Sequence, residues 1–170
     1  MGVRSAADKA YDELIRRHEK MMYRVAYVYM KNEHDALDVV QEACCRAYRA
    51  FGMLKNPEYG GSWLVRITMN CALDALRRRR RHPQLPLEEE CAADIVSESC
   101  EESVITQVTV HKLMNALEED EKQVLFMKYL CELTFAEMAA ELSRPVGSVK
   151  STLYRALAKL RKKAEEENIT

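Results

Sequence analysis

The stretch from Pro145 to Lys163, PVGSVKSTLYRALAKLRKK, limits what this chain can fold into more than any other. It carries Lys150, Arg155, Lys159, Arg161, Lys162 and Lys163 without a single acid, in a chain whose formal net charge is only -1. Val149, Leu153, Ala156, Leu157 and Leu160 recur at steps of three and four, which gives one apolar helical stripe. Lys150, Ser151, Tyr154 and Arg155 share a separate face near the start of that helix, where a helix laid in the major groove meets base edges. Just upstream, Thr134 to Leu142 (TFAEMAAEL) predicts a short helix with Thr134 as N-cap and Glu137 completing a capping box. Ser143, Arg144 and Pro145 break it. Helix, turn and basic helix make a helix-turn-helix whose second helix is the reader. By charge alone, a solvated amphipathic face is the commoner explanation; the capped partner helix and the turn favour a reader.

Composition enters where it bounds the rest. Hydrophobic residues make up 48% of the 170, with only 5 Gly and 4 Pro, which favours an all-α globular chain. No stretch reads as a signal peptide or a membrane span, so a cytoplasmic location is expected. Six cysteines show no CxxC pair. Cys44, Cys45, Cys71 and Cys131 fall within helical patterns, where a thiol acts as a small hydrophobe. Cys91 and Cys100 fall in a linker, where redox sensing is the rarer alternative to inert thiols. The histidines are scattered singly and none reads as a metal ligand. No acid, base or nucleophile cluster and no glycine-rich phosphate loop is present, so neither an enzyme nor a cofactor is expected.

The small net charge hides alternating blocks. Arg77 to Arg81 is an unbroken arginine run, whereas Pro83 to Ser103 holds seven acids and no Lys or Arg. Two nucleic-acid-facing domains joined by an acidic flexible tether would give this pattern. The expected organisation is therefore a helical domain over 8–82, a linker over 83–103, and a helical domain over 104–166 that contains the helix-turn-helix.

Along the chain, Tyr11, Leu14, His18, Met22, Val25 and Tyr29 predict a long core helix ending near Lys31. A second helix, about Glu33 to Phe51, is expected to turn Leu37, Val40, Cys44, Ala47 and Phe51 inward. Asp35, Asp38, Glu42, Arg46 and Arg49 then form a stripe opposite, with Gln41 beside it. Asn56 to Ser62 (NPEYGGS) reads as a loop with Tyr59 unburied. From about Ser62 a third helix aligns Trp63, Arg66, Asn70, Asp74, Arg77 and Arg81 on one face. Each has an ordinary explanation, yet an aromatic, an amide and cations in one row form a surface suited to DNA. Val104 to Glu118 and Glu121 to Leu130 supply two further helices as a core for the helix-turn-helix.

Three of these segments resemble, in order, the bacterial sigma factors of the extracytoplasmic-function (ECF) group of the sigma-70 family. DALDVVQEACCRAYRAF, from Asp35 to Phe51, is similar to the core-polymerase-binding helix. SWLVRITMNCALDALRRRRR, from Ser62 to Arg81, is similar to the helix that opens and reads the −10 element. Leu133 to Arg161, with GSVKS from Gly147 to Ser151, resembles the −35-reading helix-turn-helix. The resemblance implies that Asp35, Asp38, Gln41 and Glu42 bind core RNA polymerase. It places Tyr59, Trp63, Arg66, Asn70, Arg77, Arg78 and Arg81 at melted −10 DNA, and Ser148, Lys150, Ser151, Tyr154, Arg155 and Lys159 at duplex −35 DNA. It also implies a membrane-linked anti-sigma factor and a monomer when free. The chain departs from the family at Ser143 and Glu132, where glycine is usual or frequent, at Thr152, where arginine is usual, and at Leu117-Glu118, where a Leu-Pro pair is usual.

Two readings from other classes compete. A stand-alone helix-turn-helix regulator has no need of the Asp35 to Glu42 stripe, and a helical protein-interaction adaptor would carry its basic patches only for solubility. Co-purification with core polymerase separates the three.

Overall fold

A computed structural model describes residues 5–82 and 109–167, and among them every regular element is helical. The acidic segment over 83–103 expected as a linker, with Cys91 and Cys100, lies outside the described residues. The chain clusters into two compact units that divide between Glu90 and Cys91.

The first unit is a bundle of three mutually packed helices, α1 (Ala6–Met30), α2 (Glu33–Ala50) and α3 (Gly60–Arg81). Local chemistry sets each boundary. Ser5 and Asp8 form a capping box that starts α1. Lys31 takes a left-handed conformation (φ 64°) that ends it. Asn32 then caps α2 by accepting from the Asp35 N–H at 2.9 Å. Two short 3₁₀ turns, Phe51–Met53 and Pro57–Tyr59, lead into α3. Gly60 and Gly61 are needed here for close approach: a Cβ on Gly60 would lie 2.5 Å from Leu14 Cδ1, and one on Gly61 2.7 Å from His18 Cε1. They hold the start of α3 against α1 and leave the adjacent Tyr59 exposed at 66%.

The core contains Met22, Val25, Ala43, Leu64, Met69 and Ala72, all buried. Thr68 is buried among them, with its hydroxyl donating to the Leu64 carbonyl at 2.8 Å. Burial pushes the Cys71 thiol up to about 11, so it is protonated at neutral pH.

One expectation is corrected. The inward face of α2 is Ala36, Val39, Ala43 and Ala47, not the Leu37, Val40, Cys44 row, and Leu37 is 45% exposed. At about 100° per residue this turns the helix by roughly 75° about its axis. The acidic stripe therefore flanks the α2/α3 interface instead of pointing directly away from it.

The described part of the second unit holds a helix over 109–115 (α4), followed by α5 (Glu119–Tyr129), α6 (Phe135–Leu142) and α7 (Val146–Glu166). Thr134 and Glu137 make the predicted capping box. Val124, Met127, Met138, Val149, Leu153 and Ala156 form the core. Cys131 is buried in the turn after α5, not within a helix. Ser143 (φ 50°) and Glu132 (φ 54°) both adopt the left-handed conformation that favours glycine.

Candidate nucleic-acid interface

In the second unit, α7 splits cleanly by exposure. Val149, Thr152, Leu153 and Ala156 are buried, whereas Lys150, Ser151, Tyr154 and Arg155 are exposed. The cap and turn cause this division by fixing α6 against α7, so the first two turns of α7 keep a free outer face. Lys150 lies over the Phe135 ring at 5.4 Å, and Lys128 lies over the same ring at 5.0 Å. The Ser151 hydroxyl donates to Gly147 O at 2.9 Å.

Three residues have intramolecular surroundings that the sequence did not reveal. Lys159 Nζ donates to Glu121 Oε2 at 2.9 Å, and Glu121 has no solvent exposure, so this lysine has a structural task. Burial works to raise the Glu121 carboxyl, but Lys159, the Glu118 N–H and Arg155 outweigh it and hold it below the usual carboxylate range. Ser148 is half-buried and accepts from Arg144 Nη2 at 3.0 Å. Thr152 points inward, so an arginine's absence there leaves no gap on the outer face. Sequence reasoning read Arg144 only as part of the break between the helices. Its signal was present, since Arg144, Ser148 and Thr152 fall at steps of four.

In the first unit, α3 carries the row of Trp63 and Arg66, both half-buried, then exposed Asn70, half-buried Asp74, and exposed Arg77 and Arg81. Asn56 caps the turn beneath Tyr59 by accepting from the Glu58 N–H at 3.0 Å, and Ser62 Oγ donates to Tyr59 O at 3.0 Å. Loop and helix start are thereby tied to each other.

The rotated α2 stripe is cross-linked to this row. Arg46 bridges Glu42 at 2.7 Å and Asp74 at 2.9 Å, and Asp74 also meets Arg77 at 3.2 Å. Asp35 pairs with Arg79 and accepts from the Asn32 amide at 2.6 Å. Burial works to raise the Asp35 carboxyl; Asn32 and Arg79 more than offset it, so the group titrates low. Arg46 lowers Glu42 likewise. Asp38 is exposed and 3.8 Å from His34, and Gln41 is exposed. Asp35, Asp38, Glu42, Arg78 and Arg79 line a cleft of about 230 Å³ between α2 and α3. A second cleft, of about 270 Å³, is lined by Arg46, Asp74, Arg77, Arg78 and Arg81. The stripe thus joins the arginine run, a link that the sequence alone did not reveal.

Two helical units, one bearing an arginine-rich helix and the other a helix-turn-helix with an exposed basic face, are the arrangement of a two-domain DNA-binding protein. The family model for Sigma-70 region 2 matches residues 14–82, and that for Sigma-70 region 4 matches residues 107–160. The ECF RNA polymerase sigma factor SigM of Mycobacterium tuberculosis is 32% identical over 152 residues, covering 89% of this chain and 75% of SigM. The RNA polymerase sigma factor SigV of Bacillus subtilis is 28% identical, covering 90% of each chain. The solved structure of CnrH in complex with the cytosolic domain of CnrY shares the fold, with a TM-score of 0.58 at 23% identity over 94% of this chain and 95% of that one. The chain belongs to the ECF group of the sigma-70 family. It is a factor for promoter-specific transcription initiation by RNA polymerase, the work of a regulator, and its partners are core polymerase and promoter DNA. Membership sets aside the stand-alone regulator and the adaptor. Among the described residues no helix is long and apolar enough to cross a membrane, and no group of His, Cys, Asp and Glu is placed to hold a metal ion.

Proposed function

We propose that the outer face of α7, Lys150, Ser151, Tyr154 and Arg155, reads the −35 element as duplex. In the same proposal the α3 row with Tyr59, Trp63, Arg66, Asn70, Arg77, Arg78 and Arg81 holds the opened −10 strand. One observation carries the reading: the first three turns of α7 bury one face (Val149, Thr152, Leu153 and Ala156) while leaving two cations, a hydroxyl and a phenol outward on the other. A helix seated in the major groove needs that arrangement. At −10, the exposed Asn70 amide is placed to bond the Watson–Crick edge of an extruded base, with Tyr59 as a wall of its pocket. Asp38 and Gln41, exposed beside Asp35 and Glu42, are the proposed core-polymerase contacts. Ser148 and Lys159 take secondary places because Arg144 and Glu121 already engage them. A membrane-linked anti-sigma factor is proposed to hold the chain, a cytoplasmic monomer when free; the capture of CnrH with the cytosolic domain of CnrY supports such a partner.

Holoenzyme reconstituted with Arg155→Ala tests the reading. Preference at particular −35 bases should relax by about 1 to 3 kcal/mol. Lys162→Ala should instead weaken all sequences alike and lower the salt dependence. Equal losses from Arg155→Ala on matched and scrambled −35 sequences contradict the assignment.

A further inference from the structure

Arg144 touches more of the second unit than its place in a turn predicts. Its backbone N–H donates to Ala139 O of α6 at 3.0 Å. Its Nη2 donates to Ser148 Oγ at 3.0 Å and to Thr152 Oγ1 at 2.9 Å on α7, and its Nη1 lies 3.8 Å from Asp120 Oδ2 on α5. One residue therefore ties the turn to three helices.

The proton directions are fixed by donor counting. Thr152 is buried and spends its hydroxyl hydrogen on Ser148 O at 3.0 Å, so its oxygen can only accept from the guanidinium. Nη2 has two N–H groups, and the hydroxyls of Ser148 and Thr152, one helical turn apart, take one each. Asp120 supplies countercharge behind them. A lysine has the charge but no planar fork, so it cannot reproduce this geometry.

We infer that Arg144 is the positioning residue of the reading helix: its guanidinium clamps the first two turns of α7 to α5 and α6, and so sets the angle at which Lys150, Ser151, Tyr154 and Arg155 enter the groove. The inference rests on the proposal that this face reads −35 DNA. Base-edge hydrogen bonds tolerate displacements of only a few tenths of an ångström, whereas phosphate attraction tolerates much more. Loss of the clamp therefore lowers discrimination and leaves charge-driven binding in place. Arg144 acts through α7 and is assigned no base of its own.

The test uses holoenzyme containing the full chain. The probes are the −35 duplex that wild-type holoenzyme enriches from a pool randomised over that element and a base-shuffled copy. Arg144→Lys, which keeps the charge, should reduce the matched-to-shuffled affinity ratio about tenfold, with the salt slope and the shuffled-DNA affinity unchanged. Thr152→Val, which keeps the shape and removes the buried acceptor, should reduce the ratio in the same direction. The double variant should be no worse than the worse single one, because both remove one interaction. Circular dichroism and melting of each variant separate misfolding from misorientation. If Arg144→Lys and Thr152→Val both keep the ratio within twofold of wild type, the clamp has no role in reading. If Arg144→Lys or Arg144→Met weakens matched and shuffled DNA equally, Arg144 is a plain phosphate contact or fold residue, and the inference is overturned. A wild-type holoenzyme with no −35 preference overturns the reading by α7 and the inference together; preference that persists in every variant overturns the inference alone.

Discussion

Glu121 is a carboxylate with no solvent exposure whose Oε2 takes the Glu118 N–H and Lys159 Nζ, each at 2.9 Å, while Oε1 has no hydrogen-bond partner among the described residues. Such a group tolerates burial only while its cation stays. Lys159→Met should therefore destabilise the second unit by about 2 kcal/mol at pH 7, a figure discounted because the lysine head is partly solvated. The pH dependence follows from the sign of the shift. The folded carboxyl titrates below its ordinary 4.5, so its stabilising contribution is complete above that value and is lost as pH falls through the folded pKa. The gap between wild type and Lys159→Met in urea denaturation should narrow from pH 7 toward pH 4, and an equal gap at both would contradict the pairing. Backbone strain gives a second prediction at this scale. Ser143 and Glu132 sit at φ 50° and 54°, where a Cβ costs about 1–2 kcal/mol. Glycine relieves that but adds freedom to the unfolded chain, so Ser143→Gly should gain a net of about 0.5–1 kcal/mol. An unchanged or lower denaturation midpoint would show that the turn is not strained.

At the scale of elements, α2 carries the clearest lesson. Its existence and its polar stripe were legible in the sequence, as were the Thr134–Glu137 box and the division of α7 into two faces, whereas its Asn32 cap was not read. Its rotation was not. Leu37, Val40 and Cys44 give as good a periodic row as Ala36, Val39, Ala43 and Ala47, and hydrophobicity favours the larger side chains. The alanines face inward because α2 packs against both α1 and α3, where small residues allow close approach and the stripe reaches Arg79 and Asp74. Ion pairs between distant positions leave no periodic trace, so Asp35–Arg79, Arg46–Asp74 and Lys159–Glu121 were invisible, and Arg144 was read only as a helix breaker. The rotation also sharpens the test of the polymerase contact. Glu42 and Asp35 hold intramolecular bridges, so reversing their charge perturbs the bundle, whereas Asp38 is exposed on the same stripe. Asp38→Arg should weaken association with core polymerase at least tenfold with helix content unchanged. Undiminished affinity would move the contact elsewhere.

Across the whole molecule, the proposed function has two units that meet different forms of DNA. On that proposal the arginine-rich α3 supplies phosphate attraction without sequence information, and selectivity comes from Asn70 and its neighbours in one unit and from α7 in the other. Asn70→Ala should accordingly slow opening of duplex promoters and relax preference at one −10 base on a pre-melted template, because extrusion of a paired base costs a few kcal/mol that the amide helps to offset. Core binding should stay intact, since Asn70 lies on α3 and the proposed polymerase contacts Asp38 and Gln41 lie on α2. Run-off transcription by purified core polymerase, with and without the chain, on a promoter duplex enriched by the reconstituted holoenzyme tests the central claim most directly. The account predicts no specific transcript from core alone, one defined start when wild-type chain is added, and a reduced yield on duplex with Asn70→Ala that a pre-melted −10 segment restores. A chain that binds core polymerase yet gives no defined start on any enriched template would contradict it.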